Sequence, residues 1–232
     1  MNTVDVGDLV DEVLKRYVTP VLREVSFKRS GAVYRLTAPN GDHAFFHVRR
    51  WTTSSAVNGF SLDFSVAVVP VIEWFAHVRG SQRPVGPEHA LVHWQVQPPP
   101  EWAFPGHRTS PGDARWGMRS EDDVEACGAA LAGLLRESEI PKLSSLLDRD
   151  ALRAALREPP SHRVMHRFDP YTAQAVASVD DLPPDEVEKL IEAAYAFDPM
   201  ALMPPELRRP QQGEPAHWKV LAWLRDRLAA RT

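Results

Sequence analysis

Hydrophobic and polar residues alternate most regularly between residues 60 and 68. The apolar positions are Phe60, Leu62, Phe64, Val66 and Val68, and the positions between them are Ser61, Asp63, Ser65 and Ala67. Successive side chains of a strand point to opposite faces, so the pattern predicts a strand with one buried and one polar face. Asp63, at the centre of the polar face, is the first candidate functional residue.

Residues 43–51 and 89–97 alternate in the same way and predict two more strands. The side chains that would share a face with Asp63 are Phe45, His47, Arg49, Trp51, Ser65, His93 and Gln95. The Asn40-Gly41 pair predicts a type I′ hairpin between a strand at residues 32–37 and the strand at 43–51, because Asn-Gly readily adopts the positive φ angles of that turn. Trp116 and Met118 predict a short edge strand.

Apolar residues at helical spacing predict helices near both ends of the chain, with a clear set between residues 120 and 156. Residues 71–78 fit either a short helix or a continuation of the sheet. We therefore predict an α+β fold in which helices pack on one face of an antiparallel sheet of four to five strands. Pro159-Pro160 suggests a division into an α+β domain at residues 1–158 and a helical extension at 159–232 packed on it.

Composition excludes several classes of protein. The formal net charge is −4 and the pI is near 6.1, which gives no support for non-specific nucleic-acid binding. Cys127 is the single cysteine and lies on an apolar helical stripe, so neither an intrachain disulfide nor a cysteine-rich zinc site is expected. The sequence lacks a signal-like N-terminus and an apolar run of about 20 residues, so we predict a cytoplasmic protein without a membrane span.

The predicted polar face combines acidic, basic and aromatic side chains. Arg49 has the planar geometry to hold a carboxylate or phosphate through two hydrogen bonds. His47 or His93 is suited to proton transfer near neutral pH, with Asp63 orienting the imidazole. The alternative is a solvated sheet face stabilised by an Arg49–Asp63 cross-strand pair worth about 0.2–1 kcal/mol.

Other motifs are less specific. Trp102 lies in a proline-rich loop, where an aromatic side chain either contacts a partner or folds back over the sheet edge. His162 and His166 are four residues apart, as are His89 and His93, but a metal site needs at least a third ligand. We predict neither a metal nor a cofactor, since the common nucleotide-binding motifs are also missing from the sequence.

The order of these segments resembles a bacterial family built on a domain of unknown function. The resemblance rests on residues 22–31 (LREVSFKRSG), on Tyr34 and on residues 60–66 (FSLDFSV), and it covers about residues 5–157. Members have an N-terminal helix, a G-F-K-[KR]-x-G segment, antiparallel strands and later helices. Here Ser26 replaces the glycine before Phe27, and Arg49 or Arg50 stands where the family tends to have glutamine. The resemblance implies a fold and no activity.

These observations favour a non-enzymatic cytoplasmic binding protein that uses an open sheet face and the loop that follows it. The candidate binding residues are Arg49, Trp51, Gln95 and Trp102. The expected partner is a protein, for example in an immunity or defence role, or a small anionic ligand. The alternative is a small enzyme that acts on a phosphate- or carboxylate-bearing substrate, with His47, Asp63 and His93 as candidate catalytic residues.

Overall fold

A computed structural model describes residues 6–51, 58–80, 84–104, 114–158, 164–197 and 216–231, without the side chains of residues 6–8, 51, 58, 216 and 217. It has the predicted α+β architecture, with an antiparallel sheet and helices from both ends of the chain. None of the helices in these ranges has the length and apolar character needed to cross a membrane.

The described sheet has seven strands, so the prediction of four to five was wrong. They are β1 (Lys28–Ser30), β2 (Val33–Thr37), β3 (His43–Trp51), β4 (Asn58–Ala67), β5 (Val92–Gln95), β6 (Trp116–Met118) and β7 (Met165–His166). Their order is β1-β2-β3-β4-β5-β7, and β6 also pairs with β4. The two unpredicted strands, β1 and β7, have three and two residues, which is too short for an alternating pattern to be recognised.

The helices pack around this sheet. They are α1 (Val6–Val13), α2 (Thr19–Glu24), α3 (Val69–Arg79), α4 (Asp123–Leu134), α5 (Ile140–Leu146), α6 (Arg149–Arg157), α7 (Pro170–Ser178), α8 (Pro184–Ala196) and α9 (Ala216–Ala229). The ambiguous segment after β4 is therefore the helix α3. Wider π-helical turns at Leu14–Val18 and Leu135–Glu139 join α1 to α2 and α4 to α5.

Each π-helical turn precedes a proline, at Pro20 and Pro141, in the second position of the next helix. A proline inside a continuous α-helix removes one hydrogen bond, and its ring clashes with the carbonyl of the fourth preceding residue. The wider turn gives that carbonyl more room. The helices before and after each proline therefore stay joined.

The central position of β4 is confirmed. Its apolar residues are fully buried, and Phe64 lies directly opposite Phe46 of β3 with their ring centroids 4.9 Å apart. On the other side, Trp94 of β5 stacks on Phe64 at 5.5 Å. Aromatic pairs of this kind stabilise a sheet beyond the area that they bury.

The hairpin between β2 and β3 is confirmed, but its turn is not of type I′. Only Gly41 has a positive φ, of 86°, whereas a type I′ turn needs positive φ at both central residues. The Gly41 N–H donates to Ala38 O at 3.0 Å, which makes Pro39 the second residue of the turn. Proline fixes φ near −65° and therefore favours a type I turn followed by a left-handed glycine.

One residue other than glycine has a positive φ in the described ranges. Ser26, which ends the turn after α2, has a φ of 68°. This left-handed region disfavours residues with a Cβ atom, and glycine adopts it freely.

The buried side chains form one continuous cluster that includes residues before and after position 158, such as Leu152 in α6 and Val187 in α8. The segment after 158 also contributes β7 to the sheet, where Met165 pairs with His93. The division of the chain at residue 158 stays a prediction. Cys127 is buried in this core, and burial raises the pKa of its thiol to about 12, as expected for an unreactive core cysteine.

Candidate functional site

The sheet brings four of the other predicted site residues together around Asp63. His47 of β3 and Gln95 of β5 lie directly opposite Asp63, one on each neighbouring strand. Arg49 pairs with Ser61, and His93 pairs with Ser65, so both are diagonal neighbours of Asp63 on the same face. The central strand β4 therefore positions an acid between two histidines and an arginine.

Arg49 and Asp63 form a two-pronged ion pair. Arg49 Nε donates to Asp63 Oδ2, and Arg49 Nη2 donates to Asp63 Oδ1, each at 2.8 Å. The Asp63 side chain is 15% exposed, whereas that of Arg49 is 47% exposed, so the carboxylate lies at the base of the pair and the guanidinium faces solvent. This is the cross-strand pair that the sequence suggested, and it neutralises much of the charge of Asp63.

The two histidines beside Asp63 are held in their neutral form near pH 7. Burial lowers the pKa of His47 most, Arg49 lowers it further, and Asp63 and Glu88 raise it. Burial also lowers the pKa of His93 most, with Arg167 and Arg49 acting in the same direction against Asp63. A neutral imidazole can accept a proton, which is the chemistry that a general base needs.

Much of the polar face is covered. Phe45, Ser61 and Ser65 are buried, and a 3₁₀ turn at Pro87–His89 packs against β3 and β4. Arg167, which follows β7, donates to Ala90 O at 2.7 Å and also to Glu88 O, and so attaches this turn to the edge of the sheet. The sequence did not suggest a role for Arg167, because β7 is too short to be predicted.

The uncovered part of the face is basic. Lys28 of β1 lies directly opposite Arg35 of β2, and both side chains are exposed. On the next strand, Arg35 pairs with Phe45 of β3, and Arg49 lies four residues farther along β3 on the same face. We call Lys28, Arg35 and Arg49 the basic edge.

Lys28 and Arg35 were not among the residues that the sequence analysis selected. Lys28 lies in a three-residue strand that alternation cannot predict, and only the pairing of β1 with β2 places the two cations opposite each other. In the described part of the chain no carboxylate lies within ion-pairing distance of either cation. Arg35 nonetheless affects His43. Burial lowers the pKa of His43 most, and the positive charge of Arg35 lowers it further.

The other predicted binding residues have different surroundings. Gln95 Nε2 donates a hydrogen bond to Ala114 O at 2.5 Å, which attaches the segment before β6 to β5. Trp102 is half-buried against the hydrophobic core and lines a separate cavity of about 160 Å³ with Phe104 and Arg119. The side chain of Trp51 lies outside the described part of the chain, although its backbone pairs with Gly59.

The histidine pairs that suggested metal chemistry are separated or only partly described. The buried His89 directs Nδ1 at the backbone of Gly86, where Nδ1 accepts from the N–H at 3.1 Å in one tautomer or donates to the carbonyl oxygen at 3.2 Å in the other. His162 lies outside the described residues. Across the described ranges, no group of three histidine, cysteine, aspartate or glutamate side chains is arranged to hold a metal ion.

No protein-family model matches the chain, and no curated protein or solved structure matches it. The resemblance to a bacterial domain of unknown function therefore stays a prediction. The functional argument rests on the geometry of the site alone.

Proposed function

We propose that this chain is a non-enzymatic binding protein that recognises acidic side chains of a protein partner through the basic edge. The observation that carries the proposal is the register of β1 and β2, which sets Lys28 directly opposite Arg35. Like charges in directly opposite positions destabilise a sheet. A partner that places carboxylates over this pair would replace the repulsion with two attractive contacts.

The distribution of the cations favours a protein over a small anion. Lys28, Arg35 and Arg49 lie on three successive strands about 4.8 Å apart, and Arg49 lies four residues farther along its strand than the residue opposite Arg35, so the charges are spread over roughly 16 Å. A compact anion would contact only part of this surface, whereas several carboxylates on a protein surface match it. The immunity or defence partner and the cytoplasmic location predicted from the sequence belong to this proposal.

The experiment uses a fluorescently labelled oligoglutamate peptide as a defined acidic probe. We expect binding of the full chain, measured by fluorescence anisotropy, and a clear loss of affinity as the salt concentration rises, because exposed charges are screened. A Lys28→Gln/Arg35→Gln variant should bind at least tenfold more weakly. These side chains are exposed, so the variant is expected to fold.

A Lys15→Gln/Arg23→Gln variant is the matched control, since it removes the same charge from exposed positions on the N-terminal helices. It should keep nearly all of the affinity. If both double variants lose affinity equally, the basic edge has no special role. If the unchanged protein does not bind the peptide at low salt, the proposal is wrong.

A small enzyme is the second candidate, because two imidazoles with lowered pKa values flank Asp63. In that case His47 and His93 would act as proton acceptors, and Arg49 would hold a phosphate or carboxylate in exchange for Asp63. Turnover of 4-nitrophenyl phosphate by the unchanged protein, lost in both His47→Gln and His93→Gln, would favour the enzyme over the binding protein.

A further inference from the structure

A cleft of about 250 Å³ lies among α6, α7 and α8, on elements that contribute no residue to the basic edge. Its walls include Arg157 at the end of α6, Gln174 and Ser178 on α7, and Glu186 in the first turn of α8. Leu182 and Leu190 add an apolar side to the cleft. The volume is below the range of roughly 300–1,000 Å³ that is typical for drug-sized ligands, so it suits a small metabolite.

One polar group in the wall of the cleft is available as a hydrogen-bond acceptor. Ser178 lies beneath the surface of the cleft, completely buried and with no hydrogen-bond partner for its hydroxyl in the structure, so a ligand in the cleft does not reach it. The Gln174 amide donates to Pro170 O at 3.1 Å and to Leu156 O at 3.5 Å, and this orientation leaves its carbonyl oxygen as an acceptor.

The charges that line the cleft are of both signs. Arg153 already pairs with Asp181 at 3.0 Å and with Asp150, and Lys189 pairs with Asp185 at 3.5 Å. The side chains of Arg157 and Glu186 remain, and neither side chain forms an ion pair or hydrogen bond with another described residue or with the other. One unused cation and one unused anion therefore border the same small space.

We propose that this cleft binds a free amino acid with an apolar side chain. The ligand carboxylate accepts two hydrogen bonds from the Arg157 guanidinium. The ligand ammonium donates to the Glu186 carboxylate and to the carbonyl oxygen of Gln174. The apolar side chain lies against Leu182 and Leu190. The inference is independent of the basic edge, because it involves none of the same residues.

The test compares leucine with N-acetyl-leucine and leucine amide, each of which lacks one of the two ligand charges. We expect leucine to bind the full chain in isothermal titration calorimetry and to raise its Tm. Both derivatives should bind at least tenfold more weakly. Arg157→Gln should weaken leucine binding and reduce the preference for leucine over leucine amide, and Glu186→Gln should reduce its preference over N-acetyl-leucine.

Arg157 and Glu186 are exposed at the mouth of the cleft, so both variants are expected to fold. Arg23→Gln and Glu125→Gln, which change exposed charges on α2 and α4, are the matched controls and should leave leucine binding unchanged. The proposal is overturned if leucine, methionine and phenylalanine all fail to bind at millimolar concentration. Equal binding of leucine and N-acetyl-leucine would also overturn it, since the ammonium group would then not be recognised.

Discussion

Arg149 of α6 holds the buried carboxylate of Asp42 through two hydrogen bonds, from Nε to Oδ2 at 2.5 Å and from Nη2 to Oδ1 at 2.7 Å. Asp42 Oδ1 also accepts the N–H of Val69 at 2.9 Å, at the start of α3. The remaining Nη1 of Arg149 donates to Ala177 O of α7 at 3.1 Å. One ion pair thus connects the β2–β3 hairpin, the start of α3 and the helices α6 and α7.

Loss of Arg149 should therefore strongly destabilise the fold. The Asp42 side chain is 1% exposed, so Arg149→Met leaves a buried carboxylate without a cation. We expect the free energy of unfolding to fall by about 3–5 kcal/mol, measured by urea denaturation. Arg136→Met removes an exposed pair with Glu24 and should have little effect. Similar losses in the two variants would contradict the role given to Asp42.

Gly128 of α4 provides room for the ring of Tyr17. A Cβ atom at position 128 would lie 2.2 Å from Tyr17 Cδ2, which is shorter than any real contact between carbon atoms. Gly128→Ala should lower the free energy of unfolding by about 1–3 kcal/mol, because the overpacking exceeds the helix preference of alanine.

Gly133 is the matched control for Gly128, since it lies on the same helix and a Cβ atom there would meet nothing within 4 Å. Gly133→Ala should raise the free energy of unfolding, by up to about 1 kcal/mol. Thermal unfolding monitored by circular dichroism measures both changes. The two changes in the free energy of unfolding need not be equal in size. A stabilising Gly128→Ala would show that α4 and Tyr17 do not pack as described.

Stability should decrease on mild acidification. Burial is the main cause that lowers the pKa values of His47, His93 and His166, so the folded chain binds fewer protons than the unfolded chain just below pH 6.5. The contribution of these histidines to the free energy of unfolding is fully present above about pH 6.5, the pKa in the unfolded chain. It is lost as the pH falls from that value through the lower pKa values of the folded chain. The urea midpoint should therefore be lower at pH 5.5 than at pH 7.5.

His166 offers a specific check on this pH dependence, because its Nδ1 is buried without a hydrogen-bond partner. His166→Gln should make the urea midpoint less sensitive to pH between 7.5 and 5.5. Measurements at pH 7.5 and 8.5 serve as the control and should agree, since these histidines do not titrate in that interval. A midpoint that is constant down to pH 5.5 would be incompatible with the half-buried positions of the three histidines.

The alternation of side chains was sufficient to predict β3, β4 and their shared polar face. His47, Arg49, Asp63 and His93 could be selected because a residue's face in a strand depends only on its position along the chain. The turn type at Pro39–Gly41 was predicted wrongly, because the prediction relied on the Asn-Gly pair and did not consider the fixed φ of Pro39. The openness of the polar face was overestimated, since alternation does not reveal what packs on top of Ser61 and Ser65.

The sequence by itself determined the fold class, the central strand and the group of side chains that share a face with Asp63, because these follow from local periodicity. Only the tertiary structure decided which strands are neighbours. It set Lys28 opposite Arg35, brought Arg167 to the turn at Pro87–His89, and gathered Arg157, Ser178 and Glu186 around one cleft. These relationships join residues that are distant in the chain or lie in strands too short for a pattern, so they depend on packing rather than on periodicity.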